Sequence, residues 1–214
     1  MSFLTFIDGA FYVIVLIMSV IIHEFAHGYA AYRYGDNTAR MAGRLTLNPI
    51  KHLDLFGSVL LPLVLVLSQA GFVIGWAKPV PYNPDNLSNK KWGGLAVASA
   101  GIIANLSIAF IFGLFIRFGY LLGLPAFNPL DIEPFYNISI IIVLVNTVLA
   151  FFNLIPIPPL DGSKILFAFL PYKYRFVEDF MNRWGIFLLI FFIFFLWEKV
   201  SPAVYLLFHL FTGI

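Results

Sequence analysis

The chain has 214 residues, 61% of them hydrophobic and 11% charged, with a mean hydropathy of +0.91. Soluble domains are about half apolar and about a quarter charged, so a soluble globular fold is excluded. A formal net charge of +2, with no basic run interleaved with aromatics, argues against nucleic acid as a partner. The lack of cysteine excludes disulfides, iron–sulfur clusters and thiolate zinc.

Apolar runs of about 17 to 25 residues recur, each able to cross a hydrocarbon core of roughly 30 Å. The intervals between them are too short for a separate aqueous domain, so residues 1–214 read as a single integral-membrane domain. The first span runs from about Ile7 to Tyr34. It lacks a basic leader and a small-residue cleavage pattern, and reads as a permanent span instead of a signal peptide. "YGDNTARMAGRLTLNPIKHLD" follows, dense in turn formers and basic residues. The next apolar run, "LFGSVLLPLVLVLSQAGFVIGW", is broken by Gly57, Pro62 and Gly71, and "AKPVPYNPDNLSNKK" is a proline-punctuated loop. A second span from Trp92 to about Tyr120 begins with small residues, "GGLAVASAGIIANLS", which let another backbone approach. A third starts near Tyr136 and runs into "NTVLAFFNLIPIPPLDG". "MNRWGIFLLIFFIFFLW" is a fourth, and "VSPAVYLLFHLFTGI" reads as a tilted, re-entering or interfacial last helix. The expected fold is an all-α polytopic membrane protein with about four to six membrane helices around a three-helix core.

Lys and Arg set the orientation. Arg33, Arg40, Arg44 and Lys51 precede the proline-broken run, Lys78, Lys90 and Lys91 follow it, and Lys164, Lys173, Arg175 and Arg183 follow the third span. These segments are expected to be cytoplasmic, and the acidic interval with Asp131 and Glu133 outside. A full crossing by residues 55–76 would place two basic loops on opposite faces. A re-entrant loop or hairpin avoids that, provided protein or trapped water satisfies its backbone.

The chemistry-bearing stretch is "VIIHEFAHGYA", residues 20–30, at the end of the first span. On a helix, His23 and His27 project from one face a turn apart and can share a cation. Glu24 beside them is poorly placed as a ligand, but near enough to handle the proton of a bound water. Titratable groups inside a membrane segment are costly and mark function by default. A two-histidine site needs a third protein ligand. Asp161 is the leading candidate: Pro156, Pro158 and Pro159 prevent regular helix before it, and Gly162 permits a tight turn. It also shares the depth of the histidines if residues 55–76 re-enter. His52 and Asp54 in "NPIKHLDLFG" are the rivals, whereas His209 has no partner at useful spacing and reads as interfacial. One Zn²⁺ with one carboxylate ligand keeps a residual positive charge that acidifies water, and Glu24 can take that proton and later deliver it to a leaving amine.

"HEFAH" in a membrane helix, "GIIAN" with Gly101 and Asn105, and "NLIPIPPLDG" occur in this order over residues 23–162. Together they resemble the site-2 protease family of intramembrane zinc metalloproteases. The resemblance implies His23, His27 and Asp161 as zinc ligands and Glu24 as catalytic base. It further suggests that Asn153 and Asn105 contact substrate backbone or steady the site. It implies cleavage of peptide bonds within the transmembrane helix of a membrane-protein substrate, in the lipid bilayer of the cell membrane, with the site toward the cytoplasm. The substrate helix must unwind to be attacked, and the run at residues 55–76 is a candidate edge for an extended segment to pair with. The chain looks like the compact subgroup without PDZ or nucleotide-binding domain. The competing readings are a non-proteolytic adaptor or chaperone, which has no use for Glu24, and a metal-ion carrier, which would usually show repeated halves.

Overall fold

The computed structural model describes residues 3–69, 78–119 and 134–214. A long helix α1 (Phe3–Arg33) is followed by two single-turn helices, α2 (Thr38–Met41) and α3 (Pro49–His52). A π-helical turn at Leu55–Leu60 then leads into α4 (Leu61–Leu67). A 3₁₀ turn at Pro84–Asn86 precedes α5 (Lys90–Phe118), which is followed by α6 (Pro134–Leu154) and α7 (Asp161–Phe169). A second 3₁₀ turn, Tyr172–Tyr174, opens α8 (Arg175–Phe191), and a π-helical turn at Phe192–Leu196 joins it to α9 (Trp197–Thr212). No strand occurs among the described residues. Four stretches are long and apolar enough to cross a membrane: Phe11–Arg33, Lys90–Phe118, Phe135–Leu154 and Tyr172–Thr212. The protein is an all-α polytopic membrane protein.

The core is α1, α5 and α6. Partners along α1 and α5 run in opposite order, His27 with Val97 and His23 with Asn105, so the two helices are antiparallel. α6 is antiparallel to α5, with Asn146 bonded to Asn105 while Val143 packs near Ala109. Apolar packing alone does little to associate helices in lipid, so small residues and interhelical hydrogen bonds must hold them. The core supplies both. Asn105 Nδ2 donates to Asn146 Oδ1 at 2.7 Å, and Asn146 Nδ2 donates to Ser19 Oγ at 2.9 Å, joining three helices through buried groups. Each such bond is worth about 0.6 to 2 kcal/mol in a membrane. α5 begins at Lys90 because the Asn89 side chain accepts from the Trp92 amide at 2.9 Å, an N-cap.

The segment after α3 turns back on itself. The Lys78 amide donates to the His52 carbonyl at 2.8 Å, so the chain leaves and returns at one place. A crossing would separate the two ends by about 30 Å. Asp54 caps the outgoing limb, accepting from the amides of Phe56 at 3.1 Å and Gly57 at 2.7 Å. One expectation needs correction. Residues 55–67 are helical, and a helix spends its backbone groups internally, so this limb offers no strand edge to a peptide. Residues 70–76 of the same expectation lie outside the described residues.

The C-terminal run also differs from the sequence reading. α8, the π-helical turn and α9 form one nearly continuous run and not a span followed by a separate interfacial helix. Gly185 lies against Pro158, at the Asp161 end of the core, and Phe211 lies against Gly113 near the far end of α5. The 26 residue-to-residue steps from Gly185 to Phe211 rise about 39 Å at 1.5 Å each, enough for one tilted crossing.

Candidate metal centre

Four residues apart on α1, the His23 and His27 rings lie with centroids 4.6 Å apart and planes at 84°. Both side chains are buried. Each ring is fixed from behind through Nδ1: His23 Nδ1–H donates to Asn105 Oδ1 at 2.6 Å, and His27 Nδ1–H donates to the Val97 carbonyl at 2.6 Å. Asn105 is oriented in turn, because its Nδ2 is committed to Asn146 Oδ1 and to the Ser19 carbonyl, leaving oxygen toward His23. A neutral imidazole that donates from Nδ1 carries a bare lone pair on Nε2. Both Nε2 atoms face the same oxygen, Asp161 Oδ2, each at 3.0 Å.

Three lone pairs aimed at one another repel unless a cation lies between them, or both rings take an extra proton. The donor set, two imidazoles with backbone or amide partners at Nδ1 and one carboxylate, is that of a catalytic zinc site with its supporting hydrogen bonds. His23, His27 and Asp161 form the one group of three potential ligands found among the described residues, all buried, with ligand atoms within 4.8 Å of one another. The residues fit the metal.

Two glycines make the approach possible. A Cβ at Gly101 would lie 2.5 Å from His23 Cε1 and Nε2, so only glycine lets α5 lie flat against that ring. At Gly162 a Cβ would lie 2.5 Å from the Ile155 carbonyl oxygen, so the first turn of α7 can tuck under the end of α6 and present Asp161.

Glu24 Oε2 accepts from the Val80 amide at 2.9 Å. That amide belongs to the irregular stretch 78–83, which is pinned at its end by Asp36. The buried Asp36 carboxylate accepts from the Asn83 amide at 2.7 Å, Asn86 Nδ2 at 2.9 Å and the Thr38 amide at 3.1 Å. Glu24, His23, His27, Val80, Asn153, Asp161 and Lys164 line one cavity of about 240 Å³. Asn153 Nδ2 donates to the Leu149 carbonyl at 3.0 Å, one turn back on α6. The centre is recessed. His27 is six residues before the end of α1 and Val97 eight after the Asn89 cap, which puts it about 9 to 12 Å inside the polar end of the bundle.

Of the rival ligands, His52 is fully buried and its Nε2–H donates to the Thr46 carbonyl at 2.7 Å, while Asp54 serves as a cap; neither joins the cluster. His209 sits at the end of α9 with Nδ1 against the Ile214 carbonyl. The sequence reading missed Val80, Asp36, Asn146 and Lys164. Only Lys164 carried a signal, three residues after Asp161 in a helix.

The family model described as Peptidase family M50 matches residues 11–131 and 129–196. The chain belongs to peptidase family M50. Among relatives, it is 45% identical over 161 residues to a Bacillus subtilis protein named "Putative zinc metalloprotease YwhC", covering 74% of this chain and 68% of that one. It is 34% identical over 152 residues to "Putative zinc metalloprotease Rip2" of Mycolicibacterium smegmatis, covering 70% and 53%. To "Zinc metalloprotease MJ0392" of Methanocaldococcus jannaschii it is 27% identical over 166 residues, covering 78% and 36%. The chain thus spans about two thirds of the first relative's length, about half of the second's and about a third of the third's. No solved structure matches it significantly. As an M50 member it is a site-2 type metalloprotease, a multi-pass membrane protein, and its metal is zinc.

Proposed function

We propose that this M50 protein is an intramembrane endopeptidase that hydrolyses peptide bonds within transmembrane segments of membrane-protein substrates, from a site facing the cytoplasm in the cell membrane. One observation carries the reading. Two helix-borne imidazoles and a carboxylate converge with 3.0 Å contacts, beside a glutamate, about 9 to 12 Å inside the end of a membrane bundle. A soluble protease has no reason to recess its chemistry in such a place. The basic segments around Arg40, Lys78 and Lys173 support the cytoplasmic assignment.

His23, His27 and Asp161 hold the zinc. When bound, the zinc acidifies water and polarises the scissile carbonyl. Glu24 accepts a proton and returns it to the leaving amine, acting as base and then acid. Asn105 is buried behind His23 and steadies that ligand, so it does not meet substrate. Asn153, in the cavity wall, offers its amide to an unwound substrate backbone. A helical substrate hides its carbonyls in internal hydrogen bonds, so it must open locally to enter a cavity of about 240 Å³.

The test is cleavage of a labelled transmembrane peptide by protein purified in detergent. Glu24→Gln is expected to keep zinc and lose about 10²- to 10⁴-fold in rate, the range for general acid–base groups. Chelation is expected to abolish cleavage of the wild type. Stoichiometric metal without Glu24-dependent hydrolysis would favour a carrier or an adaptor.

A further inference from the structure

Among the described residues that line the cavity, Lys164 is the one lysine or arginine. It lies three residues after Asp161, in the first turns of α7, so both side chains share a helix face. Its Nζ donates to Asp161 Oδ1 at 2.9 Å, while the other oxygen, Oδ2, faces His23 and His27. The carboxylate is therefore divided: one oxygen turned to the metal position, the other held by an ammonium. The Asp161 side chain is 7% exposed, so its oxygens have little access to solvent.

A carboxylate can bind zinc through one oxygen or two. With two imidazoles in place, one oxygen leaves the fourth position of a tetrahedral site free of protein, which is what a catalytic zinc requires. Two oxygens would crowd that position. A charge-assisted hydrogen bond is about twice as strong as a neutral one, and from Lys164, whose side chain is 46% exposed, it competes directly with the metal for the buried Oδ1. We propose that Lys164 is a positioning residue that keeps Asp161 a one-oxygen ligand and so reserves a coordination position on the zinc. The plain alternative is an ion pair that only fastens the start of α7, as pairs at this spacing do on many helices.

The inference rests on the zinc reading above, and the experiment separates the two. The full chain in detergent is loaded with Zn²⁺ for X-ray absorption, and with Co²⁺ for visible absorption, in wild type, Lys164→Met and Lys164→Arg. The wild type is expected to show two nitrogen scatterers, one protein oxygen and an intense four-coordinate cobalt band. In Lys164→Met a second oxygen at Asp161 is expected to enter the shell and the cobalt band to weaken several-fold, with metal retained in a chelator competition. Lys164→Arg, which keeps a charged donor, is expected to restore the wild-type spectrum. A wild-type spectrum in Lys164→Met, or loss of metal from Lys164→Met and Lys164→Arg alike, would overturn the proposal. Failure of the wild type itself to bind zinc through histidine would overturn the reading beneath it.

Discussion

Replacing Gly101 with alanine adds a single methyl, and the structure says where it goes. The new carbon would lie 2.5 Å from Cε1 and Nε2 of His23 and 2.7 Å from Cδ2. Carbon contacts settle at about 3.5 Å, so ring and helix must separate by about 1 Å. The ring has little freedom to retreat, since Nδ1 is held by Asn105 at 2.6 Å and Nε2 lies 3.0 Å from Asp161 Oδ2. Zinc tolerates only about 0.2 Å of error around a 2.0 to 2.1 Å bond to nitrogen. The α5 helix itself does not suffer, because alanine in a helix interior is favoured over glycine by about 1 kcal/mol. The expected result is a well-folded protein whose zinc affinity falls at least about 10- to 100-fold, the cost of losing a supporting partner of a ligand. Zinc retention against a graded chelator measures this, with circular dichroism reporting the fold. Gly94→Ala is the control, since nothing lies within 4 Å of a Cβ there. If Gly101→Ala held zinc as tightly as Gly94→Ala, the account of why α5 carries glycine at this turn would be wrong.

Asn105→Ala removes the acceptor that fixes His23 and leaves Asn146 Oδ1 without its donor; zinc affinity is expected to fall about 10- to 100-fold in the same chelator assay. Acid should loosen the Asp36 clasp. Burial works against the Asp36 charge, yet donors from Thr38, Asn86 and Asn83 hold its carboxyl below the ordinary range. A carboxyl depressed by folding stabilises fully above its unfolded value of about 4, and the stabilisation is lost as pH falls from there toward the folded value. Asp36→Asn is therefore expected to cost about 1.5 to 3 kcal/mol near neutrality, the worth of hydrogen bonds to a charged group. It should also flatten the fall in the unfolding midpoint between pH 7 and pH 3; an unchanged slope in the variant would refute the assignment.

Periodicity and turn chemistry made the first-order features readable. The four-residue spacing of His23 and His27 is a local property of any helix, and the prolines before Asp161 mark where helix must stop, so the three side chains that the structure brings together could be picked from the sequence. Charge placement exposed the hairpin for a similar reason: a basic loop on each side of a hydrophobic run is a statement about topology. Val80 and Asp36 were invisible because their partners lie 56 and 47 residues away, and a backbone amide has no side chain to announce it. The strand-edge expectation fails over residues 55–67, which satisfy their own backbone as helix, and its remainder, residues 70–76, lies outside the described residues.

The polar layer that binds α1, α5 and α6 also orients the His23 ring. Ser19 accepts from Asn146, Asn146 accepts from Asn105, and Asn105 accepts from His23, in one buried chain. In water such a chain would trade protein for solvent partners at little net gain; in lipid there is no solvent to trade with, so it both joins the helices and fixes its own direction. Reversing any amide along it would set donor against donor. The lone pair on His23 Nε2 is thus aimed by the same contacts that close the bundle, which places the proposed metal ligand and helix association on one set of atoms.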